Sequence, residues 1–212
     1  MSRLSALLLA IFVFGAVKAK DSVDCSKPPP GWPRQPPSCC DQPYPTDHMR
    51  KQLVACIRQY GTPSSAVLTE KSIRERRSCV EECVYRSAGF INKEDSVLQR
   101  EAIEEQLKSV AGNSWEKAIS ESLNACFKEA EEIEDSLSAS SSVEEESSCS
   151  SIPERLTFCL SRQLFLNCPE DTWKNTQECQ IVKKRMEECK QLLPPPPIRF
   201  IRPGPRPPIV DQ

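Results

Sequence analysis

Twelve cysteines constrain this chain more than any other feature of its sequence. They run from Cys25 to Cys189 in a chain of 212 residues, and no long cysteine-free linker separates them at a plausible domain boundary. An even number of cysteines behind an apolar leader indicates an exported protein held by disulfides rather than by metal sites. We therefore expect one domain, cross-linked by six disulfides, with a flexible tail.

Residues 1–19 have the pattern of a secretory signal. Arg3 supplies the positive start, residues 7–17 the apolar run, and residues 17–19 (Val-Lys-Ala) a cleavage site. The apolar run is about half as long as a membrane-spanning helix. We therefore expect a secreted, extracellular protein without membrane insertion. The remaining chain has a small excess of acidic residues, which argues against a nucleic-acid partner.

Proline marks both ends of the chain after the signal. Eight of the 19 prolines lie between residues 28 and 45, and eight more lie between residues 194 and 208. These stretches cannot form regular helix, and the second favours polyproline II. We predict a proline-rich N-terminal arm over residues 20–47, a helical domain over 48–193 that contains an acidic, serine-rich loop at 128–151, and a proline-rich tail over 194–212.

Apolar residues recur at helical spacing between the two proline-rich stretches. The longest stripe begins near Trp115, with Ser114 as the expected N-cap, and its helix is expected to extend to about Asp135. Two further helices are expected over about 153–166 and 170–192. No stretch alternates with period two, so strands are not expected. The pattern predicts an all-α, disulfide-linked bundle of about six to eight helices around an apolar cavity.

Cys79 and Cys83 lie four residues apart, so both project from one face of a helix. A bond between them would constrain almost nothing, and each is better used to reach a different neighbour. Each such bridge contributes about 3–4 kcal/mol in the loop-entropy model. Several bridges together allow a bundle with a thin or hollow core, as a carrier of small molecules requires.

The cysteine spacing also resembles that of a known family. The intervals are Cys56-x22-Cys79-x3-Cys83-x42-Cys126-x22-Cys149-x9-Cys159-x8-Cys168-x10-Cys179-x9-Cys189, with Pro169 directly after Cys168. This pattern, which covers about two-thirds of the chain, is similar to that of the Plus-C subclass of insect odorant-binding proteins. The resemblance implies the bonds Cys56–Cys83, Cys79–Cys159 and Cys149–Cys168. It leaves six cysteines in unassigned pairs: Cys25, Cys39, Cys40, Cys126, Cys179 and Cys189.

The resemblance implies an extracellular carrier that encloses a small hydrophobic molecule, such as an odorant, a semiochemical or a lipid. Ligand cavities between helices are lined mostly by aliphatic and aromatic side chains. The apolar stripes of three helices offer such side chains, and Trp115 is the strongest single candidate. The predicted ligand-binding residues are Ile103, Leu107, Val110, Trp115, Ile119, Leu123, Phe127, Leu156, Leu160 and Leu164.

Two other classes of function compete with the carrier. The pair Cys39-Cys40 with His48 invites comparison with secreted phospholipases A2, but the spacing to the histidine is wrong and no glycine-rich calcium loop precedes it. His48 is the only histidine, which disfavours nucleophile–base catalysis and histidine metal sites. The third class is an interaction protein that acts through Arg199, Arg202 and Arg206 of the proline-rich tail.

We therefore predict a protein that is not an enzyme and needs neither metal nor cofactor. Its expected partner is a small hydrophobic ligand, with a membrane chemoreceptor or a second copy of the chain as further candidates. Because the chain has one histidine, we expect only modest dependence of binding on pH between about 5 and 7. Carriage of a non-olfactory lipid fits these residues equally well.

Overall fold

The computed structural model describes residues 23–27, 37–43, 45–61, 69–92, 94, 96–139 and 149–192. Within these residues the chain forms six α-helices and no strand, which confirms the predicted all-α class. A π-helical turn, Ile57–Gly61, and a 3-10 turn, Asn113–Trp115, extend two of the helices. The helices are α1 (Asp47–Cys56), α2 (Glu70–Ser87), α3 (Arg100–Val110), α4 (Glu116–Ala139), α5 (Ile152–Leu166) and α6 (Gln177–Glu188).

Three of the helices begin at a threonine cap. The hydroxyl oxygens of Thr46 and Thr176 accept hydrogen bonds from the first-turn amides of α1 and α6. Thr69 and Ser72 form a reciprocal pair at the start of α2, in which each side chain accepts from the backbone N–H of the other. Such caps satisfy amides that have no partner inside the helix, so they fix where each helix begins.

Helix α5 lies at the centre of the bundle and contacts α2, α4 and α6. Its buried face meets the buried face of α4, on which Ile119, Leu123 and Cys126 are almost fully enclosed. Both faces follow the helical period, as expected for packed amphipathic helices. The α5 residues of this core are Leu156, Cys159, Leu160, Leu164 and Phe165.

All twelve cysteines are paired, and the pairing differs in part from the one that the resemblance implied. The Cys56–Cys83 bond between α1 and α2 is present. The implied bonds Cys79–Cys159 and Cys149–Cys168 are wrong. The observed bonds are Cys25–Cys189, Cys39–Cys179, Cys40–Cys168, Cys56–Cys83, Cys79–Cys149 and Cys126–Cys159.

The packing of α4 against α5 explains this difference. It brings Cys126 to a Cα–Cα distance of 5.6 Å from Cys159, so Cys159 is not available to α2. Cys79 of α2 instead pairs with Cys149, which precedes α5 in the chain, at 5.0 Å. Cys168 follows the end of α5 and pairs with the arm. These separations lie in the usual range for disulfides.

The N-terminal arm is fastened to the C-terminal part of the chain. Its three cysteines bond to Cys168, Cys179 and Cys189. The buried guanidinium of Arg185 on α6 also donates hydrogen bonds to three backbone carbonyls of the arm, those of Asp24, Cys25 and Lys27. The arm and the last helix are therefore joined to the bundle, as we expected from the extra cysteines.

Both ends of α4 and both ends of the last helix differ from the expected boundaries. The stripe at Trp115 begins with the 3-10 turn, so α4 starts at Glu116 and Ser114 is not an N-cap. Helix α4 then continues to Ala139, a little beyond the expected end near Asp135. Buried Ala130 and the Lys128–Glu132 pair, four residues apart, suit the helical extension beyond residue 128.

The last helix is shorter than the expected range of 170–192. The amides of Thr172 and Trp173 both donate to the carbonyl oxygen of Pro169, which forms a turn. Trp173 then forms an isolated bridge with Cys40 of the arm. Trp173 and Lys174 in this stretch therefore contact the arm. Helix α6 begins only after Thr176.

Several predictions from the sequence lie outside the described residues. They are the signal at 1–19, the tail at 194–212 with its arginines, much of the arm, and part of the loop at 128–151. Among the helices that the structure describes, none combines the length and the apolar character that crossing a membrane requires.

We predict that the Cys126–Cys159 bond stabilises the fold strongly, because it joins the two helices that form the core. Replacing both cysteines by alanine should lower the free energy of unfolding by about 3–4 kcal/mol. Urea unfolding of the oxidised variant and wild type, followed by circular dichroism, measures the difference. A loss below about 1 kcal/mol would contradict this assignment of the bond.

Candidate functional site

The first of two neighbouring cavities, here called the arm cavity, lies between the N-terminal arm, α1, α2, α3 and α5. Its volume is about 290 Å³. Most of its wall is apolar, and Tyr85, Phe90 and Ile103 in that wall are buried. The lining residues are Gln42, Pro43, Pro45, Met49, Arg50, Leu53, Glu81, Val84, Tyr85, Phe90, Ile103, Gln106, Leu107, Val110, Thr157, Leu160, Ser161 and Leu164.

The second cavity, here called the α2–α5 cavity, is larger, at about 520 Å³. Two of its apolar lining residues, Ile57 and Ile73, are more than two-fifths exposed. Four of its lining side chains carry charge: Arg76, Arg77, Glu81 and Glu154. Although it is the larger space, its charged and exposed walls suit a small apolar ligand less well than the arm cavity does.

The end of α2 builds one wall of the arm cavity. Gly89 adopts φ = 75°, a backbone conformation that glycine accepts without strain. This lets the amides of Gly89 and Phe90 donate back to the carbonyls of Arg86 and Tyr85, the pattern of a Schellman motif. The motif places the Tyr85 and Phe90 rings edge to face, with their centroids 5.5 Å apart.

The arm supplies the opposite wall. The side-chain amide of Gln42 donates a hydrogen bond of 3.1 Å to the carbonyl oxygen of Ser161 on α5. Just before it in the chain, Cys40 is bonded to Cys168 after the end of α5. Pro43 and Pro45 are therefore held against the bundle as part of the cavity wall.

A hydrogen-bonded polar group interrupts the apolar wall where the two cavities meet. Glu81, Thr157 and Ser161 line both cavities. The Thr157 hydroxyl lies 3.0 Å from the Glu81 carboxylate and 3.1 Å from the Tyr85 hydroxyl. Because a threonine hydroxyl has one proton, it donates to Glu81 and accepts from Tyr85.

Burial shifts the acidity of this group. It raises the pKa of the Glu81 carboxyl, an effect that the hydrogen bond from Thr157 opposes and the nearby negative charge of Glu154 reinforces. Burial likewise raises the pKa of Tyr85, so its hydroxyl stays protonated and remains a donor. The wall of the arm cavity thus contains one carboxylate, that of Glu81, whose charged form is poorly solvated.

The structure separates the ten predicted ligand-binding residues into two sets. Ile103, Leu107, Val110, Leu160 and Leu164 line the arm cavity. The other five lie outside its wall and pack in or against the core; among them Ile119 and Leu123 have no exposed surface. This second set is Trp115, Ile119, Leu123, Phe127 and Leu156. The apolar stripe of α4 is therefore core, facing α5.

Sequence reasoning missed the arm and α2 as cavity walls. Pro43, Pro45 and Met49 lie on the arm and the start of α1, and Tyr85 and Phe90 lie at the end of α2. One local signal was available for the last two, because Gly89 follows a helical stripe and is typical of a Schellman ending. No local pattern predicts the arm wall, which depends on bonds between residues far apart in the sequence.

His48 lies at the start of α1 and is exposed. One of its ring nitrogens lies 3.0 Å from the side-chain amide of Gln52. No group of three or more histidine, cysteine, aspartate or glutamate side chains in the described part of the chain is arranged to hold a metal ion.

Two comparisons with known proteins agree with each other. Residues 48–185 match a family described as AgamOBP47-like. The chain is also similar to a protein of Anopheles gambiae named Odorant-binding protein 47, with 25% identity over 190 residues. That similarity covers 86% of this chain and 79% of the mosquito protein. Both matches include the helices that form the arm cavity.

We predict that Glu81→Gln stabilises the protein at neutral pH. Because the pKa of Glu81 is raised in the folded state, its stabilising contribution is complete at low pH and is lost as the pH rises through the folded pKa. Glutamine keeps an acceptor for Thr157 without the charge. The melting temperature of the variant should exceed that of wild type near pH 7, and the difference should shrink towards pH 4.

The exposed Glu105 on α3 offers a matched control for the loss of one negative charge, as Glu105→Gln. Differential scanning fluorimetry across the same pH range compares the three proteins. A stabilisation by Glu81→Gln that is the same at both ends of the range would contradict the prediction.

Proposed function

Because the chain belongs to the AgamOBP47-like family of insect odorant-binding proteins, we propose that it is a secreted carrier of small hydrophobic molecules. It binds its ligand in the arm cavity and moves it through aqueous extracellular fluid. Proteins of this family are carriers rather than enzymes, and this chain is proposed to act without catalysis, metal or cofactor.

The observation that carries this proposal is the apolar wall of the arm cavity. Two aromatic rings, Tyr85 and Phe90, and several aliphatic side chains surround a space of about 290 Å³. Concave, mostly apolar spaces with a few polar groups are typical of small-molecule sites. Transfer of an apolar ligand into such a space removes its surface from water, which favours binding by about 25 cal/mol per Å².

We propose that the ligand contacts the walls supplied by α2, α3, α5 and the arm. Five of these contacts come from residues that the sequence already indicated: Ile103, Leu107, Val110, Leu160 and Leu164. The arm, held by Cys40–Cys168, then serves as part of the binding site. Proposed partners beyond the ligand, a chemoreceptor or a second copy of the chain, would meet the outer surface of this carrier.

The Leu107→Trp variant tests the proposed site, because the larger side chain fills space in the arm cavity. The probe is N-phenyl-1-naphthylamine, whose fluorescence rises in an apolar environment, added to the oxidised protein. We expect saturable micromolar binding to wild type and affinity reduced more than about tenfold in the variant.

Two matched tryptophan variants identify the cavity. Val80→Trp fills the α2–α5 cavity instead, and Ile181→Trp lies on the exposed face of α6, outside both cavities. Both should bind the probe as wild type does. If Val80→Trp abolishes binding and Leu107→Trp does not, the site is the α2–α5 cavity. If folded wild type binds no probe, the proposed carrier function is wrong.

A further inference from the structure

Glu81 has no charged partner among the described residues. Its carboxylate accepts a hydrogen bond from Thr157, and no described lysine or arginine lies within 4.0 Å of it to form an ion pair. Arg77, on the same helix, acts on it only at longer range, and Glu154 of α5 adds further negative charge. A partly buried carboxylate without an ion pair is poorly stabilised unless something else supplies the opposite charge.

On the side of the arm cavity, no described cation forms an ion pair with Glu81. Arg50 is the cation in the cavity wall, and its guanidinium forms an ion pair with Asp47 on the same helix. The polar residues Gln42, Gln106 and Ser161 in that wall are uncharged. On the side of the α2–α5 cavity, by contrast, Arg76 and Arg77 lie in the same wall as Glu81 and Glu154.

We propose that Glu81 selects small hydrophobic amines as ligands of the arm cavity. The ammonium group of such a ligand pairs with the Glu81 carboxylate, while its hydrocarbon part lies against the apolar walls. Thr157 holds the carboxylate in place and Tyr85 holds Thr157. This inference rests on the proposed function, because it assigns a chemical class to the ligand of the same cavity.

The pairing also links amine binding to pH. A bound cation favours the charged form of Glu81 and lowers its pKa, so protonation of Glu81 must weaken amine binding by the same factor. Arg77 and Glu154 act on Glu81 from α2 and α5, and Arg50, paired with Asp47, faces the cavity from α1. An uncharged ligand of the same shape lacks this linkage.

Three isosteric ligands test the inference: 2-phenylethylamine, 2-phenylethanol and propylbenzene. Their affinities for the full oxidised protein are measured by displacement of N-phenyl-1-naphthylamine from wild type, Glu81→Gln and Glu154→Gln. Glu154→Gln is the matched control, because it removes a carboxylate from the α2–α5 cavity and not from the arm cavity. Circular dichroism verifies that each variant is folded.

We expect Glu81→Gln to weaken amine binding about tenfold and to change propylbenzene binding less than about twofold. Glu154→Gln, whose charge acts on Glu81 only at longer range, should change either affinity by less than about twofold. In wild type, which needs no variant to fold, amine affinity should fall as the pH is lowered from about 7 to 4, and propylbenzene affinity should fall much less.

Two results would overturn the inference and leave the carrier function intact. One is an equal loss of amine and propylbenzene binding in Glu81→Gln, which would make Glu81 a structural residue. The other is wild-type binding of propylbenzene that is at least as tight as that of the amine, with the same dependence on pH. If wild type binds neither the probe nor any of the three ligands, the proposed function itself fails.

Discussion

The disulfides between the N-terminal arm and the C-terminal part of the chain are the constraint on which the rest of the structure depends. Cys39 and Cys40 are adjacent, yet they bond to Cys179 on α6 and to Cys168 after α5. An extended, proline-rich segment has few backbone hydrogen bonds to hold it in place. These two bonds, with the hydrogen bond from Gln42 to Ser161, keep the arm against the bundle and complete the arm cavity.

The arm cavity lies beside the core and shares part of its wall with it. Helices α4 and α5 pack closely through Ile119, Leu123 and Leu156, and the Cys126–Cys159 bond lies within that interface. Leu160, Leu164 and Thr157 of α5 lie beside this interface and border the arm cavity. Disulfides allow this arrangement, because bonds between distant residues replace part of the stabilisation that a filled core would give.

Helix α2 serves both as support and as the polar part of the site. Cys79 bonds the helix to the segment before α5, and Cys83 bonds it to α1. The position of both cysteines on one helix face predicted that they would reach separate neighbours. Between and after these cysteines, Glu81, Val84 and Tyr85 point into the cavities. Because two bonds fix the helix, the Glu81 carboxylate has a defined position with respect to Thr157.

The fold was largely predictable from the sequence, whereas the site was predictable only in part. Helical periodicity identifies α3 and α5, and their residues Ile103, Leu107 and Leu160 do line the cavity. The same periodicity cannot separate a helix face that meets another helix from one that meets a space, so it does not show that Trp115 and Leu123 lie outside the wall of the arm cavity.

The pairing of the cysteines shows the same limit. The Cys56–Cys83 bond joins neighbouring helices, and the resemblance to Plus-C proteins implied it correctly. The partner of Cys159 depends on whether α2 or α4 packs closest to it, which spacing along the chain does not determine. The extension of α4 beyond residue 128, expected as far as about Asp135, is present in the structure, and buried Ala130 continues the inward face of the helix.

The central claim is that a small hydrophobic ligand occupies the arm cavity, between the arm, α1, α2, α3 and α5. Anomalous diffraction at the bromine edge, from crystals of the oxidised protein grown with 1-bromonaphthalene, tests it most directly. We expect a bromine peak within contact distance of Phe90, Leu107 and Leu160. A peak confined to the α2–α5 cavity, or bromine found only on the outer surface of a folded protein, would contradict it.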